Sequence, residues 1–271
     1  IEQIKYVNHQ NETIDFGKNG LFVNESELHD FTWKVTSKND RISDFTKGVT
    51  TKSLPVVIIC NTEEEGIAKR NSLFQICEKD TLKKKHGRLY IGDFYLKCFV
   101  TESKKKNYLQ SKRSMNANLK LTTDFPMWVK ETTTTFGYGS GHQGTNLDFN
   151  NDFPMDYTSN LLGTSLVNNN FVESNFIIRI YGACEKPSIT IAGHEYTVNV
   201  SLEVNEYLTI DSTEKTIIKT FTDGTTQKCF NLRNKQSYIF EKIPVGVSNV
   251  LSGSFKFDVT ILEERGEPTW N

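Results

Sequence analysis

Apolar and polar residues alternate with a period of two along much of the chain, the pattern of strands buried on one face. Ser188–Ile191 and Glu195–Leu202 alternate on either side of Ala192-Gly193-His194. Tyr207–Ile210 and Thr216–Phe221 flank a polar turn at Asp211 and Ser212, and Asp223-Gly224 supplies a further hairpin turn that accepts positive φ. From Ser254 to Leu262 the apolar side is Phe255, Phe257, Val259 and Ile261. A similar hairpin, Arg88–Ile91 and Phe94–Val100, closes on Gly92-Asp93. One segment departs from this period. Thr62 and Glu65 have capping-box spacing, Glu63, Glu64 and Glu65 suit the positive end of a helix dipole, and Lys79 suits the negative end. This predicts a helix from Glu63 to about Lys79, packed on a sheet through Ile67, Leu73, Phe74 and Cys77.

Between Lys130 and Asn170 the composition shifts to Thr, Gly, Asn, Asp and aromatic residues, which predicts an irregular connection. The expected organisation is a first domain over 1–131, a connection over 132–170 and a second domain over 171–271. The fold class is mainly β. The first domain is α+β, a sandwich or barrel-like sheet with one packed helix, and the second is an all-β sandwich.

The 271 residues carry 32 Lys and Arg against 33 Asp and Glu, so no global charge draws the chain towards nucleic acid. No sequence-specific nucleic-acid binding is expected. The longest apolar run, Val56–Cys60, is far shorter than the roughly 18 residues of a membrane helix, so no membrane partner is expected. Glu2, Lys5, Asn8 and Glu12 interrupt any apolar stretch near Ile1, which argues against a signal peptide. The five cysteines, Cys60, Cys77, Cys98, Cys184 and Cys229, form no close pair, arguing against a disulfide framework or structural zinc and for folding in a reducing cytoplasm.

Candidate chemistry is sparse. Gly139–Gly144 is formally G-x-G-x-x-G, but no helical pattern follows it, so it reads as a loop rather than a dinucleotide site. His9, His29, His86, His142 and His194 occur singly, without metal spacing. Carboxylates such as Asp152, Asp156, Glu203 and Glu206 would form a glycosidase pair only if they converged across a cleft, and most carboxylates of a β-sandwich are simply solvated. No cofactor, metal or catalytic residue is assigned. Lys83–Lys85 and Lys104–Lys106 flank the Arg88–Val100 hairpin and are expected near one end of it. They read either as solvated guards of strand edges or as a positive patch for an acidic partner, and no aromatic residues are interleaved as nucleic-acid stacking requires.

The second half carries a family likeness. Phe176-Ile177-Ile178-Arg179-Ile180-Tyr181-Gly182 is followed by Pro187–Ile191, Val204–Asp211, Ser237–Phe240, Ile243–Gly246 and Arg265–Trp270. In that order these strings resemble the distal tail protein (Dit) family of long-tailed, non-contractile bacteriophages. Lys85–Val100, Asp124–Trp128 and the aromatic segments Asp148-Phe149 and Phe153–Tyr157 extend the resemblance into the first half. It is looser before about Asn61. The resemblance implies a structural virion protein located in the tail and folded in the bacterial cytoplasm. It implies a homo-hexameric ring formed by first domains, with galectin-like second domains outside. It further implies contacts with the tail tube protein, the tail tip or tail-associated protein and receptor-binding or baseplate proteins, and DNA passing through the ring. Pro268-Thr269-Trp270 would stop and anchor the last strand.

Two rival readings belong to other classes. A carbohydrate-binding module would use exposed aromatics such as Tyr181, Tyr196 or Tyr207 of the second domain. A tail-associated glycoside hydrolase would need converging carboxylates.

Overall fold

A computed structural model describes residues 3–24, 26–138, 161–162 and 165–270. The chain forms two compact units, one of 1–130 with 264–271 and the other of 131–263.

Unit 1 begins with β1 (Ile4–Val7), β2 (Thr13–Phe16) and β3 (Leu21–Val23). An exposed hairpin of β4 (Lys34–Lys38) and β5 (Arg41–Thr46) follows, then β6 (Thr50–Ile59) and α1 (Glu63–Lys83). β7 (Gly87–Ile91), β8 (Phe94–Lys106), β9 (Ser114–Thr123) and the start of β10 (Trp128–Tyr138) complete its strands. Pairing runs β2-β1-β7-β8, and the far half of β8 carries on to β9, β6 and β3. Alternation on β9 buries Met115, Ala117, Leu119 and Leu121, which pack with Leu54, Val56 and Ile58 of β6.

α1 starts as its sequence dictates. The Thr62 hydroxyl accepts from the Glu65 amide at 3.2 Å, and the Glu65 carboxylate accepts from the Thr62 amide. The helix runs four residues beyond Lys79 and ends at Lys84, whose left-handed backbone (φ 54°) lets its N–H reach the Asp80 and Thr81 carbonyls. Its buried contacts are Gly66, Leu73, Cys77 and Asp80, whereas Ile67 and Phe74, expected to pack, are exposed.

Unit 2 takes up β10 from Glu131. Its further strands are β11 (Leu161–Leu162), β12 (Ser165–Asn168), β13 (Asn175–Tyr181), β14 (Cys184–Glu185), β15 (Ser188–Ile191) and β16 (His194–Thr197). Then come β17 (Ser201–Leu202), β18 (Tyr207–Asp211), β19 (Thr216–Thr220), β20 (Thr226–Lys228), β21 (Gly246–Ser252) and β22 (Phe257–Arg265). One sheet is ordered β10-β22-β13-β18-β19-β20, the other β12-β21-β15-β16. Phe176, Ile178, Ile180, Leu208, Ile210, Phe257 and Val259 of the first share a core with Leu166, Ile189, Ile191 and Tyr196 of the second. Alternating apolar faces closing on one another are what make this a sandwich.

Residues 132–138, assigned to the irregular connection on sequence grounds, are a strand. Residues 264–271, assigned to the second domain, pack in unit 1, where Trp270 stacks on His29 at 3.8 Å between ring centroids. The Gly139–Gly144 motif, His142, Asp152 and Asp156 lie outside the described residues.

Candidate assembly interface

The β4–β5 hairpin stands apart from the cores. Asn39 and Asp40 form its two-residue turn with φ of 52° and 58°, the pair of positive values that a tight hairpin with the natural strand twist requires. Every residue of both strands is exposed. A register shift between Thr36 and Ser37 sets Val35 opposite Phe45 and Ser37 opposite Ile42. Val35, Phe45 and Ile42, at 54%, 54% and 61% exposure, thereby share one face with Trp33. The Trp33 and Phe45 rings meet edge to face at 6.5 Å.

The base of this arm is fastened. Lys52, nearly buried, donates to the Glu27 carbonyl at 3.0 Å and also to the Asp30 carbonyl. Lys47 donates to the Pro126 carbonyl at 3.1 Å and lies 4.5 Å from the Trp33 ring centre. Burial, with the Lys52 charge adding to it, holds the Lys47 ammonium below the usual lysine range. A two-stranded ribbon is marginal in water by itself, and a row of large apolar side chains in solvent marks an interaction surface. The arm is anchored at one end, and its Val35, Ile42 and Phe45 side chains are each more than half exposed.

The predicted site residues are scattered. The two lysine clusters both lie off the open end of the β7–β8 hairpin but are not adjacent. Lys83 and Lys84 close α1, close to where Gly87 pairs with Cys98. Lys104–Lys106 lie opposite Asn118–Asn116, beginning six residues further along β8, or about 20 Å at strand spacing. Lys104 pairs with Glu102 at 2.8 Å.

His9 meets Asp80 at 2.5 Å, His86 meets Asp124 at 3.1 Å, and His194 contacts the Tyr238 carbonyl at 2.9 Å. Among the described residues no group of three metal-ligating side chains converges. Glu203 and Glu206 make no acid–base pair. The Glu206 carboxylate accepts from the Glu203 amide at 2.8 Å and pairs with Lys219 at 2.7 Å, and the Lys219 hydrogen bond holds it below the usual carboxylate range. Tyr196 is buried with its hydroxyl on the Glu241 carbonyl. Tyr181 and Tyr207 face each other across β13 and β18, with Lys256 over the first ring and Arg179 over the second. The Tyr181 hydroxyl donates to Asp258 at 2.6 Å, and burial, then Asp258, raises its pKa.

No family model matches the sequence, and no curated protein matches it either. Solved structures do. The baseplate of phage P2 in its activated conformation with Ca superposes with a TM-score of 0.63 at 12% identity, covering 99% of this chain and 100% of that one. The Sr form of that baseplate gives 0.65 at 12% identity with the same coverage. The SPP1 Dit protein (gp 19.1), described as a paradigm of the hub adsorption apparatus in phages infecting Gram-positive hosts, gives 0.57 at 8% identity over 97% of this chain and 99% of that one. Along nearly its whole length the chain has the fold of these phage baseplate and Dit hub proteins.

Proposed function

We propose that the chain is the distal hub of a long non-contractile phage tail. Copies associate head to tail into a six-fold ring that joins the tail tube to the tip or baseplate and its receptor-binding proteins, with DNA passing through the lumen. The observation that carries this reading is the anchored arm with its bare Trp33, Val35, Ile42 and Phe45 face. A heterologous contact puts such a face of each copy on a different surface of the next, and the series ends only when rotation closes the ring. The whole-length likeness to baseplate and hub proteins agrees with it. A formal net charge of -1 also suits a conduit, because a strongly basic lumen would hold the genome it must release. The role asks for docking surfaces and no catalysis.

Light-scattering mass of the purified chain, with negative-stain images of the same peak, tests it. The expected particle is a ring of six times 31.0 kDa. A chain that stays monomeric both alone and when mixed with purified tail tubes would overturn the ring.

A further inference from the structure

β8 is far longer than its neighbour. β7 pairs with Phe94–Cys98 and then stops, whereas β8 continues to Lys106. Over this overhang β9 occupies one edge. On the other edge the Thr81 hydroxyl reaches the Val100 carbonyl at 3.3 Å, and among the described residues no strand pairs with 101–106 there. Beside this open edge lies a groove of about 280 Å³, walled by α1 through Leu73, Phe74 and Cys77 and floored by Met115 and Leu119. Its position is that of a missing strand in line with β7.

Arg70 also lines the groove. The Arg70 guanidinium is fixed by the Ser111 and Ser114 carbonyls at 2.5 and 2.7 Å, yet its buried Nε–H has no acceptor. An open strand edge beside an apolar slot is what an added strand requires. Its backbone supplies the pairing, and alternate side chains fill the slot.

We propose that this groove receives an extended segment of a different polypeptide, which pairs with residues 101–106 and inserts alternate apolar side chains between α1 and β9. Lys105, Lys106 and Arg113 are exposed at the open end, whereas the groove's acids, Glu78 and Glu102, stand nearer β7 and Glu102 is paired with Lys104, so the segment carries its carboxylates at the open end. A second copy fits less well: its exposed arm brings Lys34, Lys38 and Arg41 towards those same cations. The inference is independent of ring formation, because the groove is complete within one copy.

The probe is a fluorescein-labelled peptide alternating valine and threonine and ending in two glutamates, titrated by fluorescence anisotropy. Saturable binding is expected. Methylating alternate backbone nitrogens of the peptide should abolish it, and Phe74→Arg should weaken it at least about tenfold. Phe74 is half exposed, so circular dichroism and thermal unfolding of that variant should match the parent. Hydrogen exchange should show residues 101–106 protected on binding. Absence of saturable binding, or equal binding of the methylated peptide, overturns the proposal. So does displacement of the peptide as the chain self-associates, which would give the groove to a second copy. A Val35→Asp/Ile42→Asp chain that has lost the ring but binds the peptide normally separates this inference from the ring itself.

Discussion

The Tyr6 hydroxyl donates to Asp80 Oδ2 at 2.6 Å, joining two side chains that solvent scarcely reaches. The other carboxylate oxygen accepts from the His9 amide at 2.8 Å and meets the His9 ring. One buried acid thus fastens β1 of unit 1 to the end of α1. Burial, with Cys98 and the Asp80 contacts adding to it, pushes the Tyr6 phenol far above its ordinary range, so it remains a donor. Tyr6→Phe deprives a buried carboxylate of a donor and should cost about 1–3 kcal/mol in urea unfolding. Gly87→Ala would set a methyl against both the Tyr6 hydroxyl and the Asp80 carboxylate, and it should destabilise unit 1 by roughly 1–3 kcal/mol.

The arm should separate folding from assembly. Val35→Asp with Ile42→Asp changes two exposed side chains, so stability should move by no more than about 0.5 kcal/mol each. Light scattering of the same sample tests whether the proposed ring depends on this face, and the expected result is its loss.

Unit 2 should carry an acid-sensitive pair. Glu206 is nearly buried beside Lys219, whose ammonium also donates to the Ser201 carbonyl at 2.9 Å. Its native pKa is lowered, so the stabilisation is complete above the unfolded glutamate value of about 4.3 and fades as pH falls through the native one. Lys219→Met should lower the urea midpoint at neutral pH, and the gap from the parent should narrow as the buffer is made acidic below about pH 4.

Thiol labelling should report the two cores. Burial, then the nearby Asp80 charge, pushes Cys77 up to about 12, and burial raises Cys98 further. Cys229 is also buried, with its thiol raised. Iodoacetamide at about pH 8 should spare all three in the folded chain and reach all three in denaturant, because only the thiolate reacts.

What the sequence disclosed follows range of interaction. The helix cap was legible because Thr62 and Glu65 sit three residues apart, and the unit 2 hairpins because their turn residues adjoin their strands. The arm was not. The shift between Thr36 and Ser37 brings Ile42 and Phe45, three residues apart, onto one face, so the period of two disappears. Asn39-Asp40 between Val35 and Ile42 was the remaining signal. Ile67 and Phe74 fit a buried helical stripe, but periodicity cannot show that β7 stops short and leaves part of α1 uncovered. Nothing local marks Asp80 for burial, because its partners, Tyr6 and His9, are more than seventy residues away. The likeness to hub proteins rested on the order of many short strings, and order survives when identity has fallen to 8–12%.

Residues 264–271 pack with unit 1 although 131–263, which precede them, are a unit by themselves. A ribosome therefore delivers the whole of unit 2 before the last piece of unit 1. During synthesis the surface around His29 and Phe31 waits for Trp270 and Gly266, its eventual neighbours. Unit 2 is an uninterrupted stretch of the chain, whereas unit 1 is completed only after all of unit 2 has been made.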